Sequence, residues 1–290
     1  MKTGARRIAI DFGMSNVKVA VAQVNAQPKG TPKLFTLPRV GNASLEEAQR
    51  VLGAIGVSTH DLETLSVTGG QAHLLPNQFE QARVAKVSEV AAIGRGGLHL
   101  ATLDEALVVS AGSGTAMIAA RGGGTDCKHV TGSAVGGGTL QGLARLLLNT
   151  TDSQEIDALA ERGDSNQVDL TLIEATGGII GSLPVDANAV NFGKLANAGF
   201  SGSASREDVA AGLVCLVGQV IAVIAINAAH AERLDRIVII GNLASLPSVC
   251  KVLTTVAGYY GAHIQIAPTP GYGTVLGALL HGVSPIANSQ

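Results

Sequence analysis

"IAIDFGMSNVKVAV", residues 8–21, and "LVVSAGSGTAMIAA", residues 107–120, are two versions of one pattern. Each is an apolar strand ending in a glycine turn with hydroxyl side chains, answered at once by a second apolar strand. Short β-branched runs joined by a tight glycine turn predict a hairpin. A hairpin that returns later in the chain predicts a duplicated architecture. The repeat divides the chain into an amino-terminal half-domain, residues 1–102, and a carboxy-terminal one, residues 103–290.

Outward from the two hairpins, strands and helices alternate. The first pair, "RRIAIDFG" and "VKVAVAQV", is followed by a helix over 45–54, a strand in "LETLSVTGG" and a helix over 88–100. "DRIVIIGNLAS" ends a further strand in Gly241 and Asn242, and "HIQIAPTPGYGTVLGALL" closes with a strand, a proline-rich turn and a glycine-led helix. The class is α/β. Two lobes with a nucleotide cleft between them are expected, and with no low-complexity linker that cleft should be narrow and hinged. Closure should accompany binding, because each lobe alone offers half a phosphate site.

Composition narrows the partners. The 290 residues are 46% hydrophobic and 14% charged, with 37 glycines, no tryptophan and a formal net charge of −2. Without a basic run, neither nucleic acid nor an anionic membrane is indicated as a partner. Cys127, Cys215 and Cys250 are widely spaced and read as buried reduced thiols of a cytoplasmic protein. The start, "MKTGARR", lacks the apolar stretch of a signal peptide. From Val209 to Ala229 run 21 uncharged residues, long enough for a membrane span. Gln219, Asn227 and the richness in alanine and glycine favour a helix buried on most sides, without a membrane.

The hairpins suit a nucleoside triphosphate, since glycine lets backbone N–H groups approach phosphate oxygens and small hydroxyls add donors. The first offers Asp11, Gly13, Ser15, Asn16 and Lys18; the second offers Gly112, Ser113, Gly114 and Thr115. Asp11 projects a carboxylate from a strand tip, suited to Mg²⁺ or to capping the loop. Neither GxxxxGK[ST] nor GxGxxG occurs, so P-loop and Rossmann sites find no support. In "TGSAVGGGTLQGLARLLLNT", Gly136, Gly137, Gly138 and Thr139 open a helical pattern with Leu140, Leu143 and Leu147. Glycine is poor inside a helix. Three at its start predict a helix N-terminus aimed at phosphate, where unpaired N–H groups and the positive dipole end hold an anion.

Together these runs resemble the type II pantothenate kinases, the fumble-like branch of the acetate kinase/sugar kinase/Hsp70/actin superfamily. "IDFGMSNVKV", "SVTGGQAH", "SEVAAIGRGG", "VVSAGSGTAM", "KHVTGSAVGGGTLQGL", "ERGDSNQVDL", "NAVNFGK", "IVIIGNLAS" and "GYGTVLGALL" carry the resemblance in the family's order across nearly the whole chain. It implies a two-lobed, actin-like (ribonuclease H-like) kinase fold, ATP with Mg²⁺, and phosphorylation of the primary hydroxyl of pantothenate, the first committed step to coenzyme A. It also implies a homodimer packed on the Val209–Ala229 helix. Glu89 matches the family's general base, with Ala92 and Gly96 in step. Without the resemblance Glu89 would read as a residue favouring the helix dipole.

The departures concern the acceptor. Met14 and Ser15 stand where the family has glycine and threonine, and Ala116 replaces a serine. His129 stands where the family's arginine holds the substrate carboxylate, with Lys128 beside it. An imidazole does not present the planar, permanently charged fork of a guanidinium. Ser113, His129 and Asn191 are the candidate contacts to the small hydroxy-acid acceptor, Asn191 serving either a substrate pocket or a dimer face. Arg95 is either a replacement charge or a surface helix residue, and Tyr272 either rests on adenine or packs the last helix. Three functions stay open: a pantothenate kinase, a kinase for another hydroxy acid, and a nucleotide-binding regulatory protein with little turnover.

Overall fold

A computed structural model describes residues 6–23, 31–178, 181, 183–197, 199 and 202–281. Residues 1–5, read above as a basic start, and Val24, at the end of the second strand run, lie outside the described residues. The first elements are β1 (Arg6–Phe12), β2 (Asn16–Gln23), β3 (Lys33–Pro38), α1 (Leu45–Ala54), β4 (Leu62–Gly69), β5 (Gln78–Phe79), β6 (Ala82–Lys86) and α2 (Glu89–Ala101). Then come β7 (Ala106–Ala111), β8 (Thr115–Arg121), β9 (Asp126–Ser133), α3 (Gly137–Leu148), α4 (Ser153–Ala160), β10 (Leu170–Thr171), α5 (Leu172–Thr176) and β11 (Asn188–Val190). The last are α6 (Arg206–Ala231), β12 (Arg236–Ile240), α7 (Pro247–Tyr259), β13 (His263–Ile266) and α8 (Gly273–His281).

Contacts divide the chain into two units, Met1–Val108 with Ile118–His129 and Ala267–Gln290, and Val109–Met117 with Val130–Ile266. The first unit is built on a six-stranded sheet in the order β3-β2-β1-β4-β6-β5. The β1–β2 and β2–β3 pairs are antiparallel, as the sequence predicts for a hairpin, and β1–β4 and β4–β6 are parallel. Successive strand residues face opposite ways. Ile8, Ile10, Phe12, Val17 and Val19 therefore pack with Val51 and Leu52 of α1 on one face. Ala9 and Ala20 meet Ala92 of α2 and Val275, Ala278 and Leu279 of α8 on the other. Ser88 caps α2, its hydroxyl accepting the Ala91 N–H at 3.2 Å. The α2–α8 crossing is so close that a Cβ on Gly96 would lie 1.9 Å from the Gly273 carbonyl oxygen, and one on Gly277 1.9 Å from that of Ala92.

The second sheet has the order β13-β12-β7-β8-β9, with β12 and β13 parallel. In the second unit α6 contacts α3, α4 and α7. It extends beyond the uncharged run because Ser205 and Asp208 form a reciprocal cap: Ser205 Oγ accepts the Asp208 N–H and the Asp208 carboxylate accepts the Ser205 N–H, each at 3.1 Å. Among the described residues α6 is the single helix long and apolar enough to cross a membrane, yet 56% of that apolar stretch is buried within the protein. This is the packing of a core helix. The apolar row of α3 differs from expectation: its buried residues are Leu140, Ala144 and Leu148, whereas Leu147 is exposed. Leu147, seven residues on from Leu140 and therefore on the same side of the helix, forms the exposed edge of that stripe.

Candidate active site

The first hairpin turns at Gly13–Ser15 between β1 and β2. Cross-strand register sets Asp11 opposite Lys18 on β2 and Thr68 on β4, and all three share the sheet face of Ala9 and Ala20. Glu89, the first residue of α2, is close enough for its charge to act on Asp11. Burial raises the Asp11 carboxyl from 3.8 to about 6, Lys18 works against the rise, and Glu89 adds to it. The Lys18 ammonium donates to the Gly271 carbonyl oxygen and lies 6.0 Å from the Tyr272 ring centre. Burial lowers its pKa and Asp11 opposes the fall. Tyr272 is thereby held against the hairpin strands, its phenol oxygen accepting from Thr36 Oγ1 at 2.9 Å. Met14 is 81% exposed at the turn.

A divalent cation fits beside Asp11. The fully buried Thr68 hydroxyl, in register with Asp11, finds no hydrogen-bond partner among the described residues. The raised carboxyl is one that a nearby positive charge would return to its ionised form. Magnesium commonly takes only one or two protein carboxylates, the rest of its shell coming from water and phosphate. No group of three or more His, Cys, Asp or Glu residues suited to a metal occurs among the described residues.

The second hairpin explains the glycine triplet. Gly112 N–H closes the turn on the Gly114 carbonyl oxygen at 2.9 Å. Gly137 N–H donates to the Gly112 carbonyl oxygen at 2.8 Å and Gly138 N–H to that of Ser113 at 2.9 Å. Gly136 N–H donates to Thr139 Oγ1, and Thr139 Oγ1 to the Ala134 carbonyl oxygen. A Cβ on Gly136 would lie 2.7 Å from the Ser113 carbonyl oxygen. The helix start is thus fastened edge-on to the Gly112–Thr115 turn, and bare backbone is needed for that approach. The amides of Gly137 and Gly138, read from the sequence as open to an anion, are occupied by the neighbouring loop; the dipole of α3 remains directed there.

The other expected residues are placed as follows. Glu89 and His129 are exposed. Asn191 Nδ2 donates to Gln219 Oε1 of α6 at 3.2 Å. Asn188 Nδ2 donates to the same oxygen at 3.1 Å and to Asp169 Oδ2 at 2.9 Å, and Phe192 N–H donates to Asp169 Oδ1 at 2.7 Å. This network ties the "VNFGK" segment to the interior of α6. Arg95 packs along Gly124, where a Cβ would meet its Cα at 2.5 Å. All three cysteines are free, and burial pushes their thiols up, Cys215 to about 11. Sequence reasoning missed Arg39, whose Nη1 donates to the Gly13 carbonyl oxygen at 3.0 Å. No motif surrounds it in "LPRVGN", and only the pairing of Asn16 with Pro38 brings it to the hairpin.

The Fumble family model matches residues 105–281, most of the chain. This chain belongs to the Fumble family, the type II pantothenate kinases. The Fumble match takes in the second hairpin, the glycine-led helix, His129 and Asn191, while Asp11 and Glu89 precede it. Similarity to a further relative extends over nearly the whole chain: a type II pantothenate kinase of Bacillus cereus is 25% identical over 283 residues, 95% of this chain and 98% of that one. Among solved structures, the activator of the 2-hydroxyisocaproyl-CoA dehydratase from Clostridium difficile, with bound ADPNP, superposes with a TM-score of 0.64 at 16% identity, covering 95% of this chain and 93% of that one. A ROK family glucokinase from Streptomyces griseus, in complex with glucose and AMPPNP, gives 0.56 at 12% identity, covering 96% and 99%. These likenesses place the Fumble chain in the actin-like ATPase and sugar-kinase fold class that the family resemblance implied.

Proposed function

We propose that this protein transfers the γ-phosphoryl group of ATP to the primary hydroxyl of pantothenate. Family membership makes it a kinase-type phosphotransferase with an alcohol acceptor and ATP as donor. What supports the finer reading is the similarity to a type II pantothenate kinase over nearly the whole chain, together with Asp11 buried at the first glycine hairpin and Glu89 near enough to act on it.

An alcohol is a very weak acid, so its oxygen attacks phosphorus well only as its proton leaves. Glu89, exposed at the start of α2, accepts that proton. The new bond joins the acceptor oxygen to the γ-phosphorus, the bond to the β–γ bridging oxygen breaks, and ADP leaves with the electron pair. Gly13, Ser15, Asn16, Gly112, Ser113, Gly114 and Thr115 serve the phosphates through backbone N–H groups and small hydroxyls. Lys18 serves them by fixing Asp11 and the Gly271 turn. Gly136, Gly137, Gly138 and Thr139 hold the second hairpin in shape and direct the α3 dipole at the phosphates. Asp11, with Thr68 beside it, holds Mg²⁺, which when bound offsets the charge of the β- and γ-phosphates. Ser113, His129 and Asn191 serve the acceptor. The enzyme works in the cytoplasm as a homodimer packed on α6.

A second reading, a different hydroxy-acid acceptor, is favoured by one observation: His129 stands in place of the arginine expected from the family resemblance. The test is ADP release from MgATP with and without pantothenate, wild type beside Glu89→Gln. Stimulation by pantothenate that Glu89→Gln abolishes supports the first reading. Stimulation only by other hydroxy acids supports the second. ATP binding without turnover on any acceptor, unchanged by Glu89→Gln, points to a regulatory nucleotide-binding protein.

A further inference from the structure

A triphosphate at the first hairpin carries more charge than one Mg²⁺ beside Asp11 offsets, and Lys18 turns its ammonium away from the turn. Its ammonium is turned inward, onto the Gly271 carbonyl oxygen and towards Asp11. Another basic side chain has the hairpin within reach. The antiparallel register of β2 and β3 sets Asn16 beside Pro38, so the chain leaving β3 passes the Gly13–Ser15 turn with Arg39 as its next residue.

Arg39 is half-buried and held at two points. Its Nη1 donates to the Gly13 carbonyl oxygen at 3.0 Å and its Nε to that of Gly41 at 2.8 Å. A guanidinium has five N–H donors in a rigid plane, so these two bonds fix its orientation and leave donors over. No carboxylate of the described residues lies within ion-pair distance of it. Glu47 feels its charge, but Glu47 is already gripped by Arg50, which donates to both carboxylate oxygens at 2.7 Å. A half-buried, oriented guanidinium without an anionic partner, beside a glycine turn that presents backbone to a ligand, is a preformed oxyanion receptor.

We infer that Arg39 binds a phosphate oxygen of ATP at the first hairpin. This rests on the ATP reading above. The other source of the same chemistry is the carboxylate of the acceptor, and the experiment separates the two. Binding of MgATP and of adenosine to the full chain is measured by calorimetry for wild type, Arg39→Gln and Arg39→Lys, with acceptor KM measured alongside. Hydrogen bonds to charged groups set the expected size: Arg39→Gln weakens MgATP by about 10- to 100-fold, leaves adenosine and acceptor KM unchanged, and Arg39→Lys recovers part of the loss. Equal binding of MgATP by Arg39→Gln and wild type overturns the inference. So does a parallel loss of adenosine, which marks a purely structural bridge between Gly13 and Gly41. A rise confined to acceptor KM reassigns the guanidinium to the acceptor carboxylate and overturns the phosphate contact. Failure of the wild type itself to bind MgATP overturns the ATP reading, an outcome distinct from all of these.

Discussion

Replacing Asp11 by asparagine should make the ligand-free protein more stable, by an amount that depends on pH. The structure buries this carboxyl and sets Glu89 near it, so its pKa rises from 3.8 to about 6 even with Lys18 opposite. A group whose folded value lies above its unfolded value holds its proton more tightly when folded. The folded state therefore loses stability as pH climbs from about 4 to about 6, and the loss is complete above that window. At about 1.4 kcal/mol for each pH unit between the two values, it reaches about 3 kcal/mol near pH 8. Asparagine matches the neutral acid in shape and does not titrate. The gain in unfolding free energy from Asp11→Asn should thus be near zero at pH 4 and about 3 kcal/mol at pH 8. Urea unfolding of both proteins over that range, without nucleotide or metal, measures it, since titrating groups remote from Asp11 cancel in the difference, which reports Asp11 together with Lys18 and Glu89. A gain that stays flat from pH 4 to pH 8 would refute the argument that burial dominates at Asp11. On the proposal that Asp11 holds Mg²⁺, the order should reverse with saturating MgATP, because a ligand stabilises whichever form binds it.

Four further substitutions test the packing. Gly136→Ala, whose Cβ would press on the Ser113 carbonyl oxygen and the Gly114 Cα, should cost about 1–3 kcal/mol and weaken nucleotide binding. Gly142→Ala in the same helix, with nothing within 4 Å, should stabilise by about 0.5–1 kcal/mol; paired thermal melts read both. Gly96→Ala sets a methyl on the Gly273 carbonyl, so α2 and α8 must separate, and a loss of about 3 kcal/mol in urea is expected together with reduced turnover, as α2 carries Glu89. Gln219→Leu removes the acceptor shared by Asn188 and Asn191 and should cost about 1–3 kcal/mol, with hydrogen-exchange protection lost first around residues 188–192.

Local periodicity carried much of the fold into view. The hairpin at residues 8–21 and the helices at 45–54 and about 88–100 are each specified by neighbours a few residues away, and the structure places them close to where the pattern does. Asp11 was legible as a strand-tip carboxylate for the same reason, whereas Glu89 was legible as a base only through the family resemblance. What the sequence hides is set by distant backbone. The triplet at Gly136–Gly138 announced a close approach without showing that its partner is the Gly112–Ser113 turn. Lys18 looks like a phosphate ligand until the Gly271 carbonyl, 253 residues on, is found against it. Arg39 carries no motif at all; only strand register, a two-dimensional fact, delivers it to Gly13. Leu147 shows the smaller version of the same limit: three-and-four spacing defines a stripe, but which edge of the stripe is covered depends on what packs there.

The α2–α8 crossing bears on how the protein is made. The face of the first sheet that carries Asp11 is closed by a helix from residues 273–281, so the opening strands reach the end of the ribosomal tunnel long before their cover has been translated. Ala9, Ala20 and Ala92 lack that cover at least while residues 102–272, between α2 and α8, are synthesised, which at about 5–20 residues per second is of the order of ten seconds or more. The intervening unit, continuous from Val130 to Ile266 apart from one short strand segment, is free to condense first. Assembly then runs against the order of translation at this one seam. Nascent chains arrested before residue 273 should be the ones that bind chaperones most avidly.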